Sequence, residues 1–318
     1  MTSTEIQPGG FSRDALVGAI LAFLADQDLL TIRDIRAALE REIDGAGPQA
    51  LLALKGRLGA DNGWDYYPRD LLARRIHHLL ADRFLAAGSE LRGAHHLASI
   101  PDAPLVIVTN HLSYADANVI EVLLERGGGA DLANRLTALA GPKIFTSRER
   151  RFSSLCFGTI KVPQSTDVAS EEAVLNGREV VRAARHSIDV AHRRLREGDA
   201  LLLFGEGTRT RTGGLQQMLS AAARYLDVPG TRILPAGLMG SEALFPVGVS
   251  TIRPARVVLQ LDRPIRAEAL IARADGDRRL VMDAIGLAVA DALPSAYRGV
   301  YGNAESFPEA KNILSDSR

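Results

Sequence analysis

Two short stretches of this 318-residue chain concentrate side chains able to move protons and hold anions. In residues 109–124, TNHLSYADANVIEVLL, His111 and Asp116 stand five positions apart where an apolar run gives way to a helical pattern. A carboxylate beside an imidazole fixes its tautomer and stabilises the imidazolium, leaving the second nitrogen as a general base. The same residues also suit helix punctuation, since Ser113 followed three positions later by Asp116 before an apolar run is a capping-box pattern. Both readings can hold together, with the cap positioning the carboxylate.

The second stretch, residues 201–214, reads LLLFGEGTRTRTGG. An apolar run ends at Phe204 and opens onto Gly205, Gly207, Gly213 and Gly214, interspersed with Glu206, Arg209 and Arg211. Glycines let a backbone approach a ligand closely, and arginine forks match phosphate oxygens. The spacing is neither that of a nucleotide P-loop nor that of a dinucleotide fingerprint. The plain alternative is a solvated turn.

Other candidates carry less. His77–His78 and His95–His96 are adjacent pairs whose side chains diverge on a helix, and no neighbouring cysteine or carboxylate set completes a shell, so no metal is expected. The single cysteine, Cys156, lies between Leu155 and Phe157 and reads as a core residue. It excludes an intrachain disulfide and fits a reducing compartment.

The elements that must position these residues are strands alternating with helices. APLVIVT (103–109) and DALLLF (199–204) are short apolar runs suited to strands buried on both faces, and TRILPAGL (231–238) and RVVLQLDRPI (256–265) are two more. Helices are expected over 170–197, closed by Gly198, and over 280–293. This alternation predicts an α/β fold: a mixed, largely parallel sheet flanked by helices, with sites at strand ends. Upstream, residues 11–60 read as short helices, with a capping box at Thr31 and Asp34 and a helix opening at Pro48. The loop GADNGWD (59–65) precedes a longer helix over 68–85. We therefore expect a small helical N-terminal domain over 1–64 and an α/β domain over 65–318.

Composition narrows the class further. A hydrophobic fraction of 46% and a charged fraction of 24% are ordinary for a soluble globular chain. Zero net charge gives no global field toward nucleic acid or anionic lipid, so recognition must be local and no nucleic-acid partner is expected. The apolar run ALVGAILAFLA (15–25) is shorter than the ~20 residues a bilayer requires. Arg13 before it is offset by Asp14, unlike a signal peptide. A cytoplasmic protein is expected.

Taken together, these stretches resemble the glycerolipid acyltransferases, the family of lysophosphatidate and glycerol-3-phosphate acyltransferases. NHLSYAD is similar to that family's Asn-His-(four residues)-Asp block, and FGEGTR to its Phe-Pro-Glu-Gly-Thr-Arg block, with Gly205 where proline is usual. FGTIKVP (157–163) resembles the second block, but Gln164 occupies its arginine position, leaving Lys161 or Arg151 as the substitute cation. ILPAGL resembles the fourth block, whose proline, here Pro235, lines the acyl site; LRGAHHL and YRGVYG resemble its flanks. The likeness spans roughly residues 91–302. The helices before residue 65 are more weakly similar to the N-terminal domain of soluble plastid-type glycerol-3-phosphate acyltransferases.

The resemblance implies transfer of a fatty acyl group from acyl-CoA or acyl carrier protein to the hydroxyl of 1-acylglycerol-3-phosphate in phospholipid synthesis, without a cofactor. Glycerol-3-phosphate is the close alternative acceptor, and a non-catalytic lipid-binding protein or a hydrolase on the same fold are the rivals. It gives His111 the role of base and Asp116 that of its orienter. It places Asn110, Ser113, Glu206, Gly207, Thr208, Arg209, Lys161 and Pro235 at the substrates, with Arg209 on the acceptor phosphate and Glu206 on an acceptor hydroxyl. It also implies peripheral contact with the inner face of the membrane. Residues 143–160 interleave Lys143, Arg148, Arg150 and Arg151 with Phe145, Phe152 and Phe157, which suits an interfacial surface or, equally, an amphipathic connection packed on the sheet.

Overall fold

The computed structural model describes residues 12–24, 26–100, 103–146, 148–163, 177–246, 248–249, 251–315 and 317. Two helices come first, α1 (Arg13–Ala22) and α2 (Leu29–Gly59), capped by the side chains of Ser12 and Asp28. The capping box expected at Thr31 and Asp34 is displaced to Asp28, which accepts from the main-chain N–H groups of Leu30 and Thr31 at 3.0 Å each. Helix α2 kinks at Gly47, with φ of 80° just before Pro48, so the opening expected at Pro48 begins the second half of one long element.

A two-residue strand β1 (Tyr66–Tyr67) leads to α3 (Leu71–Phe84), β2 (Glu90–Arg92) and β3 (Leu105–Thr109). Then come α4 (Asp116–Arg126), α5 (Ala130–Asn134), β4 (Leu136–Ala140), α6 (Arg148–Ser153) and β5 (Gly158–Lys161). Helix α7 (Gly177–Arg196) falls within the expected helix, whose residues 170–176 lie outside the described residues. The chain continues through β6 (Ala200–Phe204), β7 (Arg232–Met239), β8 (Val258–Leu261), β9 (Ile265–Arg266), α8 (Ala267–Arg273), α9 (Arg278–Asp291) and α10 (Pro308–Ser315). The run expected as one strand over 256–265 is thus two short ones, β8 and β9.

The strands form one nine-stranded sheet in the order β1-β5-β4-β6-β3-β7-β8-β2, with β9 also pairing β7. The central neighbours β5, β4, β6, β3 and β7 are all parallel; β1, β8 and β9 pair antiparallel to their inner neighbours. Pro235 falls where the β9 pairing at Arg232 and Ile233 has ended and the β8 pairing from Ala236 has not begun, so its missing N–H costs no ladder bond on that edge.

Period-two alternation explains why the central strands are apolar throughout. Leu105 and Ile107 of β3 join a cluster with residues of α1 to α4, while Val106 and Val108 join one with residues of α7 to α10. The N-terminal helices therefore share the core of one sheet face, through Leu16, Val17 and Ile20 of α1 and Ile35, Leu39 and Ile43 of α2. Among the described residues no helix is long and apolar enough to cross a membrane.

The basic–aromatic stretch over 143–160 is packed inward. Phe152 and Phe157 belong to the core, and Arg151 is only 4% exposed, its guanidinium 4.1 Å from the Tyr67 ring centroid and 5.0 Å from that of Phe145. Burial pulls Arg151 down to about 10. Of the two readings of this stretch, the packed connection is the one found: Phe152 and Phe157 are in the core, because α6 packs against α2 and α3. Arg151 is equally withdrawn from any substitution for the arginine absent at Gln164, a position outside the described residues.

Helix α4 is anchored by a buried carboxylate. Glu121 accepts a bond from Arg74 Nε at 2.7 Å and one from the Cys156 thiol at 3.0 Å, and lies 2.8 Å from His78 Nε2. The expectation that no cysteine or carboxylate set stands beside the paired histidines to build a shell is corrected for His78, since folding brings Glu121 and Cys156 to it from distant positions. Burial alone would push the Glu121 carboxyl up, but His78, Cys156 and Arg74 hold it below its ordinary value; the Cys156 thiol is pushed up by burial and by Glu121. Removing one partner of a buried pair strands the other. Arg74→Ala should lower the unfolding free energy by about 3–5 kcal/mol in urea titration. A loss below about 1 kcal/mol would mean that Glu121 is not held by this pair.

Candidate active site

Because β6, β3 and β7 are parallel neighbours, their C-terminal ends open along one edge. The loop after β3 delivers His111, the loop after β6 delivers Glu206 to Arg209, and the turn after β7 delivers Ser241. Ligand sites in open α/β sheets lie at such an edge.

Asp116, the first residue of α4, is fully buried. Its Oδ2 accepts from the main-chain N–H groups of Leu112 at 2.6 Å and Ser113 at 2.9 Å and lies 2.8 Å from His111 Nδ1. Its Oδ1 accepts from the Ser241 hydroxyl at 2.6 Å. Helix punctuation and histidine orientation are thus one arrangement. Only the carboxylate half of the capping box forms, because Ser113 Oγ accepts from Ala115 N at 3.2 Å rather than from the Asp116 amide.

An oxygen that already accepts two amide bonds directs the ring proton of His111 to Nδ1, leaving Nε2 with a free lone pair. Among the described residues no protein group bonds Nε2, and the His111 side chain is 20% exposed. The ring stacks on Phe204 at a centroid distance of 4.2 Å. Its main chain is held at both ends: the N–H donates to Glu206 Oε1 at 2.8 Å, and the carbonyl accepts from Thr210 N at 2.9 Å.

Glu206 is a brace between loops. Its second oxygen accepts from Gln216 N at 2.8 Å, so both oxygens are engaged by main-chain amides. Gly207 adopts φ of 70°, a conformation that favours glycine, and a Cβ there would also displace the end of the Leu219 side chain. At Gly205 a Cβ would lie 2.2 Å from Met218 Sδ; Met218 fills the space at the position where the resembled block carries proline. Thr208 and Arg209 are half-buried. The Arg209 guanidinium lies 4.2 Å from the centroid of the Tyr114 ring, and among the described residues no acceptor claims its N–H donors.

The remaining expected residues are placed differently. The Asn110 side chain bonds Leu238 in both directions, Nδ2 to the carbonyl at 2.9 Å and Oδ1 from the N–H at 2.8 Å, extending the β3–β7 ladder. Ser113 is closed within its own loop, and Pro235 is buried inside β7 opposite Val108. Lys161 ends β5, with β4 and β6 between it and β3, and its ammonium lies over the Trp64 and Phe145 rings at 4.8 and 5.2 Å. Ser241, Phe204 and Tyr114 went unrecognised in the sequence. Phe204 and Tyr114 lie within the two motifs, but nothing in the sequence ties Ser241 to Asp116.

Burial pushes the Glu206 carboxyl up to about 7, against the opposing pull of its two amide bonds. A folded-state pKa above the unfolded one means the native protein keeps a proton that the unfolded chain loses. Stability contributed by this group therefore falls as pH rises from about 4.5 to about 7 and then levels off. Glu206→Gln lacks that titration. Its unfolding free energy relative to wild type should rise between pH 5 and pH 8, by at most about 3 kcal/mol, in paired urea titrations. A pH-independent difference would contradict a proton retained through burial.

Three comparisons with known proteins bear on this arrangement. Residues 89–239 match the family model Acyltransferase. No curated protein matches the chain. Among solved structures the chain is similar to the crystal structure of the 1-acyl-sn-glycerophosphate (LPA) acyltransferase, PlsC, from Thermotoga maritima, with a TM-score of 0.48 and 16% identity over 88% of this chain and 97% of that one. The His111 and Glu206 blocks both fall inside the matched segment, which belongs to the acyltransferase family, as its resemblance to the glycerolipid acyltransferases predicts.

Proposed function

We propose that the protein transfers a fatty acyl group from a thioester, acyl-CoA or acyl carrier protein, to the free hydroxyl of 1-acylglycerol-3-phosphate. One observation carries this reading: His111 Nδ1 sits 2.8 Å from a buried carboxylate, in a loop whose Tyr114 meets the Arg209 guanidinium, and no group among the described residues claims Nε2 or the arginine donors. Nε2 takes the proton of the acceptor hydroxyl as its oxygen attacks the thioester carbonyl. The tetrahedral intermediate then collapses, the C–S bond breaks, and the departing thiolate receives the proton from the imidazolium. Asp116 stabilises that imidazolium.

Direct attack needs no acyl-enzyme. Cys156 is buried and its thiol pushed up, which suits a core residue and not a nucleophile. Arg209 holds the acceptor phosphate. Glu206, committed to main-chain amides, shapes the site rather than gripping an acceptor hydroxyl. The lipid acceptor is met by peripheral contact at the cytoplasmic face of the membrane, through surfaces other than the buried Phe152 and Phe157.

Thiol release from acyl-CoA and from acyl carrier protein, with lysophosphatidate, glycerol-3-phosphate or no acceptor, tests the proposal. Release should require lysophosphatidate; acceptor-independent release would indicate a hydrolase. His111→Ala should lower kcat by ~10²–10⁴-fold without unfolding the protein, and near-normal turnover in the folded variant would end this mechanism. Arg209→Lys should raise the acceptor KM and leave the donor KM unmoved, since a point charge cannot reproduce the bidentate fork. An unchanged acceptor KM would remove Arg209 from the phosphate.

A further inference from the structure

The loop that carries His111 also carries an aromatic side chain with no place in the core. Tyr114 is 63% exposed, among the few large apolar side chains that the described fold leaves in solvent. Its ring is not idle, because the Arg209 guanidinium lies 4.2 Å from its centroid. Arg209 differs from several arginines of this chain. Arg74 is tied to Glu121 and Glu125, and Arg194 to Asp199 and Glu197, whereas among the described residues no carboxylate pairs with Arg209. An arginine on a flexible stem loses rotamer freedom when a ligand fixes it. A ring that fixes it beforehand removes part of that cost, and aromatic contact with a cation does so without occupying its N–H donors as a carboxylate would.

The ring is itself held in register with the base. On either side of Tyr114, Ser113 N donates to Asp116 Oδ2 and Ala115 N to Ser113 Oγ. The Arg209 loop is fixed to the same place by Thr210 N on the His111 carbonyl and by Glu206 on the His111 N–H. The carboxylate that orients the imidazole thus also sets where the Tyr114 ring stands.

We propose that Tyr114 is a positioning residue, whose ring preorganises the Arg209 guanidinium for the phosphate of the acceptor and fixes the distance between that grip and His111. This rests on the reading of Arg209 as the phosphate grip. An exposed cation–π contact contributes about 0.5–1 kcal/mol, a two- to fivefold effect on acceptor affinity.

The test is a double-mutant cycle on Tyr114 and Arg209. It is read by steady-state kinetics with short-chain lysophosphatidate and by calorimetric titration with glycerol-3-phosphate, which needs no turnover. Tyr114→Leu should raise the acceptor KM and the glycerol-3-phosphate Kd by about two- to fivefold. The kcat should move less, and the donor KM should stay put. Tyr114→Phe and Tyr114→Trp should behave like wild type, because the ring and not the hydroxyl makes the contact. In an Arg209→Ala background, Tyr114→Leu should add nothing further.

An equal effect of Tyr114→Leu in both backgrounds would overturn the proposal, as would a Tyr114→Phe variant as weak as Tyr114→Leu, or no effect at all. Wild-type affinity in Arg209→Ala would instead remove the phosphate grip itself, and this proposal with it. Weak binding in Arg209→Ala beside normal binding in Tyr114→Leu would leave the grip standing and sink only the role of Tyr114.

Discussion

Everything at the functional edge is referred to one buried carboxylate. Among the described residues no lysine or arginine pairs with Asp116; two amides, a hydroxyl and an imidazole share its charge. Burying a carboxylate is costly unless its lone pairs are filled, and charge-assisted bonds of 2.6–2.9 Å offset that cost. The position at the start of α4 adds the favourable end of the helix dipole. The consequence is rigidity. A carboxylate with every oxygen engaged cannot swing, and neither can the ring that donates to it.

Sheet topology makes that constraint possible. Ser241 is 125 positions from Asp116 in sequence, yet it follows β7, the strand beside β3. Glu206 follows β6, on the other side of β3. Three adjacent parallel strands thus supply the His111 side chain with the carboxylate beside it, the brace of its main chain and the hydroxyl that closes that carboxylate. The Glu121 cluster ties the middle of α4 to α3, and Arg74 also donates to Glu125 in its last turn, so the helix that presents Asp116 is held along its length.

The parts legible in sequence were those set by local pattern. Apolar runs announced β3, β6 and β7, and the five-residue spacing of His111 and Asp116 survived intact because both lie in one strand–loop–helix turn. What local pattern could not show depended on long-range contact. Charge and aromaticity over 143–160 suited an interface and a packed connection equally, because sequence cannot say which side a short helix faces; the packing of α6 against α2 and α3 takes Phe152 and Phe157 into the core. Asn110 and Glu206 looked like substrate ligands, yet main-chain groups of Leu238, His111 and Gln216 claim their polar atoms. Tyr114 and Ser241 gave no signal, since a ring contact and a hydroxyl bond leave no periodicity. The edge strands β1, β2 and β9 are too short to show any.

The tautomer of His111 is the quantity that joins this geometry to its chemistry, and nitrogen-15 NMR of the histidine side chains in the folded protein measures it directly. The expected spectrum of the neutral imidazole shows His111 carrying its proton on Nδ1 with Nε2 bare, and loses that tautomer preference in Asp116→Asn. A proton on Nε2 in the wild-type protein would leave His111 without the lone pair that general-base catalysis requires.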